Sequence, residues 1–269
     1  MRKLFVAAFA LFAITLNLVA DLTLPTIFTD HMILQQKQPV PVWGKADPGA
    51  TVTVEFAGQT KTAQTDANGR WRVDLDPMDA NAEPQKMAVT SSKGSKTGIC
   101  DVLIGEVWLC SGQSNMGLPM NRSEDAKAAI PAAGNPLIRL YKTPTTFSQT
   151  PTEKINAAWT PCTPQTVPNF SAVAYYFGKK LQKELSVPVG LWQSAWEGTR
   201  IEPWTPPYGF EDFDSLADIR EQINNFPEGY GTDPEKVKQE RQHPTVIYNA
   251  MLHANIPFAI KGAIWYQGE

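Results

Sequence analysis

Cysteine and histidine are both scarce in this chain, with three of each among 269 residues. Cys100, Cys110 and Cys162 form no C-x-x-C pair and have no metal-ligand spacing, so a metal site is not expected. An odd count leaves at least one thiol unpaired in an oxidising compartment. Cys110 follows an apolar run and is expected to pack as a small buried residue. Charge of one sign is also lacking. A net charge of -3 is too small to imply nucleic acid or an anionic membrane as partner. There is no basic run, low-complexity tract or internal repeat, and nothing calls for a cofactor. Beyond the N-terminus, no apolar stretch is long enough to cross a bilayer.

What the chain does have begins with a targeting segment. Arg2 and Lys3 precede a nearly all-apolar run over 4–18, and Leu18-Val19-Ala20 ends in a small residue. This pattern reads as a secretory signal peptide over 1–20, and the run is short for an anchor helix. The mature protein is then expected to be soluble, and secreted or periplasmic.

Residues 21–100 read as a small β-sandwich. "PVPVWG" (39–44), "TVTVEF" (51–56), "RWRVDL" (70–75) and "KMAVTS" (86–91) alternate or are β-rich. Asp47-Pro48-Gly49, Ala57-Gly58 and Asn68-Gly69 supply the turns. The texture changes over 101–269. "DVLIGEVWLC", "LIRLYKT", "PVGLWQS" and "GAIWYQ" read as strands. "SEDAKAAI" has helical composition, and "SAVAYYFGKKLQKEL" (171–185) is the strongest helix signal, with Ser171 as its cap. Its expected apolar face is Val173, Ala174, Tyr176, Phe177, Leu181 and Leu185. Strands alternating with helices predict an α/β domain with a doubly wound parallel sheet.

Three of these strands end in polar loops: "CSGQSNM", "SAWEGTRIEPW" and "YQGE". In a parallel sheet all three open on one edge, where ligands bind. Ser114 is the nucleophile candidate in the first loop, and an ordinary polar turn is the competing reading. A nucleophilic serine needs a base. His31, His243 and His253 have no clear acidic partner in the sequence, so none is assigned that role. The aromatics Trp196, Trp204, Trp265 and Tyr266 cluster around the same loops. Core packing is the favoured reading for them and stacking on a sugar face the alternative. Arg200 has two open roles: a bidentate grip on a substrate carboxylate, or an ion pair with Glu197 or Glu202.

"VWLCSGQSNM", "EGTRIEPW", "TVIYNAMLH" and "GAIWYQGE", in that order, resemble the sialate O-acetylesterase family of SGNH-hydrolase carbohydrate esterases. The resemblance runs from about residue 22 to the end of the chain and includes "DHMILQQ". It implies a secreted or lysosomal serine esterase that removes acetyl groups from sugars without a cofactor. Ser114 matches the family's nucleophile. Gly198 matches the glycine whose N–H helps bind the oxyanion, and Glu269 a possible helper acid whose other reading is structural. Trp196, Arg200 and Gln267 fall where substrate is expected. The chain departs from the family pattern at Glu197, where a glycine is usual. The family's oxyanion asparagine and its Asp-x-x-His block do not occur within these 269 residues. The sequence is therefore expected to be the N-terminal part of a longer esterase, nearly inactive on its own. The implied partner is an acetylated sugar or glycan, with oligomeric state open. Acetylated xylan is the alternative substrate, and a non-catalytic glycan-binding protein the alternative function.

Overall fold

The computed structural model describes residues 22–268; the expected signal segment over 1–20 and Glu269 lie outside the described residues. The first strand, β1 (Ile33–Gln35), is followed by β2 (Val40–Lys45), β3 (Thr51–Phe56), β4 (Gln59–Gln64), β5 (Arg70–Leu75) and β6 (Asn81–Ser91). β2 pairs with β5, antiparallel, while β4, β3 and β6 form the start of a larger sheet. The alternation in β3 and β5 explains the layering. Val52, Val54 and Phe56 point into one core with Trp71, Val73 and Leu75, and their neighbours face outward. Burying each of these large side chains is worth about 1.5–3 kcal/mol.

β7 (Lys96–Gly112) is the longest strand, at 17 residues. Its first part pairs antiparallel with β6. Residues 103–105 then pair with β1, residues 106–112 with β10 (Val189–Ala195) and residues 108–112 with β11 (Gly262–Tyr266), all parallel. β8 (Asn135–Lys142) extends the parallel array on the far side of β10, and β9 (Trp159–Cys162) closes that edge antiparallel. The expected parallel sheet is thus present. It forms one nine-stranded sheet with the β-rich half, because β7 runs unbroken from one to the other.

Both faces of the parallel part are covered. β10 is buried at every position, which is why it opens on the apolar run Val189–Trp192 without alternation. On one face Cys110, Ile138, Leu140, Val189 and Leu191 meet the helix Ala172–Leu185. On the other, Tyr141, Trp159 and Trp192 join the core of the β-rich half. The helix is the predicted one, capped by Ser171, whose Oγ accepts from the Ala174 N–H at 3.0 Å. Its buried stripe differs from the expected one: it is Ala172, Ala174, Tyr175 and Gly178, while Val173, Tyr176, Phe177 and Leu181 are only half-buried. The small residues set this rotation. A Cβ on Gly178 would stand 2.6 Å from the Leu191 side chain, so glycine lets the helix lie close to β10. "SEDAKAAI" forms only one helical turn, Ala126–Ala129. All three cysteines are free, and burial raises the Cys110 thiol and pushes that of Cys162 up to about 12. Among the described residues no helix is long and apolar enough to cross a membrane.

Candidate active site

The ladder registers decide where the three polar loops emerge. Gly112 stands opposite Ala195 on one side and opposite Tyr266 on the other, with all three strands parallel. The loops carrying Ser114, Gly198 and Gln267 therefore leave one edge at one level. Backbone bonds knit them together: the Gln113 N–H donates to Tyr266 O at 3.0 Å, and the Trp196 N–H to Gly112 O at 3.1 Å. Gly112 makes this closeness possible. Its φ of +136° lies outside the usual range for L side chains, and a Cβ there would stand 2.1 Å from Tyr266 O.

Ser114 begins a one-turn helix, Ser114–Gly117, and is exposed. The turn is held from beneath. Met116 is buried with its sulfur 3.7 Å from Ser171 Oγ, and the Gly117 N–H donates to Gln113 O at 2.8 Å. Two further bonds fix the strand behind it: Ser111 Oγ donates to Ser194 O at 2.6 Å, and Gln193 Oε1 accepts from the Ser171 N–H at 2.8 Å. Gln113 Oε1 and Ser194 Oγ are buried there without a partner among the described residues. Unpaired buried polar atoms are uncommon and call for a reason, of which a role at a reacting centre is one.

The second loop is held more tightly. Thr199 is fully buried; its Oγ1 donates to Trp196 O at 2.8 Å and accepts from Trp204 Nε1 at 2.9 Å. Gln267 Nε2 donates to Thr199 O at 2.8 Å, which joins the third loop to the second. One side-chain amide brackets the same residue: Gln242 Nε2 donates to Gly198 O, and Gln242 Oε1 accepts from the Arg200 N–H at 2.9 Å. Gly198 has φ +57° and could carry a Cβ only 3.2 Å from Arg241 Nη2. The Arg241 guanidinium lies over the Trp196 ring at 5.2 Å, and its Nε is buried without a hydrogen-bond partner. Arg241 and Gln242 were not singled out from the sequence. They lie more than forty positions from the loop they hold (|i−j| of 44 for Gln242 and Gly198), and no local pattern signals such a contact.

The aromatics divide. Trp204 is buried and Trp196 half-buried against Phe147, while Trp265 and Tyr266 are 42% and 48% exposed. Arg200 is exposed and makes no ion pair among the described residues, with Glu197 and Glu202 or otherwise. None of the histidines hydrogen-bonds Ser114. His31 Nδ1 meets Asp101 Oδ2 at 2.6 Å, at the other end of the β7 segment that leads to Gly112. That is roughly 35 Å of chain away at the usual strand rise. His243 stacks on Phe226 at 4.2 Å, its Nδ1 is 3.4 Å from Pro244 O, and burial lowers its pKa. His253 packs on Tyr248. No group of three or more metal-ligating side chains exists among the described residues.

Three polar loops brought together at the carboxyl edge of a parallel sheet define an α/β scaffold with a candidate ligand site at that edge. Comparison narrows this. The family model "Carbohydrate esterase, sialic acid-specific acetylesterase" matches residues 104–269, and the chain belongs to that family. The mouse sialate O-acetylesterase is 30% identical over 90% of this chain and 51% of its own length. The enzyme of the same name from Pongo abelii is 31% identical over 90% of this chain and 48% of its own. A carbohydrate acetylesterase from Xanthomonas citri has the same fold, with a TM-score of 0.78 and 35% identity over 92% of this chain and 52% of that one. The chain thus spans about half the length of the relatives it matches.

Proposed function

We propose that the protein is a secreted carbohydrate O-acetylesterase, that acetylated sialic acids are its substrate, and that Ser114 is its nucleophile. The supporting observation is the shared register of Gly112, Ala195 and Tyr266, which sends the Ser114, Gly198 and Gln267 loops out at one edge. Ser114 Oγ attacks the acetyl carbonyl carbon while its proton passes to a base. The tetrahedral oxyanion is met by the N–H groups of Ser114 and Gly198, and one such donor is worth about 3–4 kcal/mol in the barrier. The C–O bond to the sugar breaks, and the departing oxygen takes up the proton. Water then cleaves the acyl-serine to acetate by the same proton route. The resemblance gives the base's role to the histidine of an Asp-x-x-His block, and none of His31, His243 and His253 stands in one.

The test uses protein of the full length of the relatives. It is expected to hydrolyse 4-nitrophenyl acetate, and to release acetate faster from O-acetylated sialic acid than from acetylated xylan. Ser114→Ala is expected to lower kcat by roughly a thousandfold or more. An alanine variant with unchanged turnover removes Ser114 from the mechanism; a preference for xylan moves the substrate to a plant polysaccharide.

A further inference from the structure

A cleft of about 320 Å³ lies apart from the Ser114 edge and shares no lining residue with its three loops. It opens where β2 and β5 of the β-rich half face the segment around His253. Its size falls in the range of small-ligand sites. Trp43 and Trp71 supply its apolar wall. Trp43 is half-buried and held edge-on by Phe28, at 4.8 Å and 79°. Trp71 is 4% exposed, and its Nε1 has no hydrogen-bond partner among the described residues.

The rim is charged and its charges do not balance. Lys45 Nζ binds Glu153 Oε2 at 2.5 Å, so that lysine and that carboxylate satisfy each other. Arg70 Nη2 stands 3.8 Å from Glu153 Oε1, within reach of an exposed ion pair but too far for a hydrogen bond. Its guanidinium donates no hydrogen bond among the described residues. His253, across the cleft, donates none from its ring either. A fork of unused guanidinium donors matches a carboxylate in two-pronged geometry. An indole wall suits the C–H face of a pyranose, and the mixed rim suits hydroxyls, which both donate and accept.

We propose that this cleft binds a carboxylate-bearing saccharide unit of a glycan, with the ring against Trp43 and the carboxylate on Arg70. The site is separate from the Ser114 edge and its occupancy is read without turnover, so the result leaves the proposed esterase reaction untouched.

The experiment follows the Trp43 indole N–H resonance while methyl β-D-glucuronide or methyl β-D-glucoside is added. The acid is expected to shift that resonance saturably, about tenfold more tightly than the neutral sugar, as a charge-assisted bidentate pair predicts. Arg70→Gln, at a site with a 65% exposed side chain, is expected to reduce the acid to the affinity of the neutral sugar. Trp43→Leu is expected to abolish the response of the remaining indoles to both. The proposal is overturned by no saturable shift, by equal affinity for acid and neutral sugar, by an Arg70→Gln variant that binds like the parent, or by shifts confined to Trp196 and Trp265.

Discussion

At the scale of single residues, the position of Gly198 depends on groups distant in sequence. Gln242 alone closes two bonds around Thr199. Replacing it by leucine removes both bonds, at about 1 kcal/mol, since the Arg200 N–H is open to water and the Gly198 carbonyl only partly buried. Urea denaturation of Gln242→Leu should show that loss. In the full-length protein, the proposed role of the Gly198 N–H adds a second outcome: kcat falls and KM for 4-nitrophenyl acetate stays near the parent value, because the donor acts on the transition state. Equal kcat in a measurably destabilised variant would make Gln242 a purely structural clamp. The loops that carry Ser114 and Gly198 were legible in the sequence because each is a polar run after an apolar strand, while the role expected of Gly198 came from the family resemblance. Gln242 and Arg241 were not, because their importance comes from the fold bringing residues 241–242 against 196–200. Arg200 was read as a grip on a substrate carboxylate or as an ion-pair partner of Glu197 or Glu202; it forms no such ion pair among the described residues and faces solvent, with its backbone N–H as the engaged group.

At the scale of elements, alternation and capping carried the most information. β3 and β5 are found at the residues their alternation indicates, and the helix Ala172–Leu185 starts where Ser171 predicts. Ser171→Ala removes the cap to the Ala174 N–H from a fully buried position, and should cost about 1 kcal/mol in thermal or urea unfolding. A change below a few tenths would mean that the Gln193 Oε1 bond to the Ser171 N–H suffices to anchor the helix start. Elements that escaped the sequence reading did so for physical reasons. β9 is four residues long and contains Pro161, which its edge position tolerates and a strand pattern does not reveal. The "SEDAKAAI" helix is cut to one turn because Pro131 follows it and Asp125 gives it no side-chain cap. The helix face was misplaced by about a third of a turn, with Ala174 common to both stripes, since counting large apolar residues overlooks a Gly178 that buries by closeness to β10.

At the scale of the whole molecule, Asp101 fastens the N-terminal segment to the parallel sheet. Arg139, buried on β8, holds Asp101 with two bonds, Nη1 to Oδ2 at 2.6 Å and Nη2 to Oδ1 at 3.0 Å, and His31 Nδ1 reaches Oδ2 as well. The Arg139 hydrogen bonds hold the Asp101 carboxyl below its ordinary value of 3.8, against an opposing push from burial. A depressed folded-state pKa contributes stability that is complete above the unfolded value and lost as pH falls through the folded one. Asp101→Asn should therefore lower stability by about 2 kcal/mol near neutrality, reduced from a fully buried pair because Asp101 is partly open to solvent. The gap in Tm between parent and variant should close as pH falls below 3.8. A gap independent of pH down to acid unfolding would show that the ionised carboxylate is not what matters. The same region contains β7, whose residues 96–104 pair with β6 and residues 106–112 with β10. Proteins are usually reshuffled by recombination at exposed linkers that few contacts cross. Here the natural cut between the halves falls inside a hydrogen-bonded strand whose last residue, Gly112, lies two positions before Ser114. A graft of the β-rich half from a relative, spliced anywhere along β7, changes the register that sets the level of the Ser114 loop.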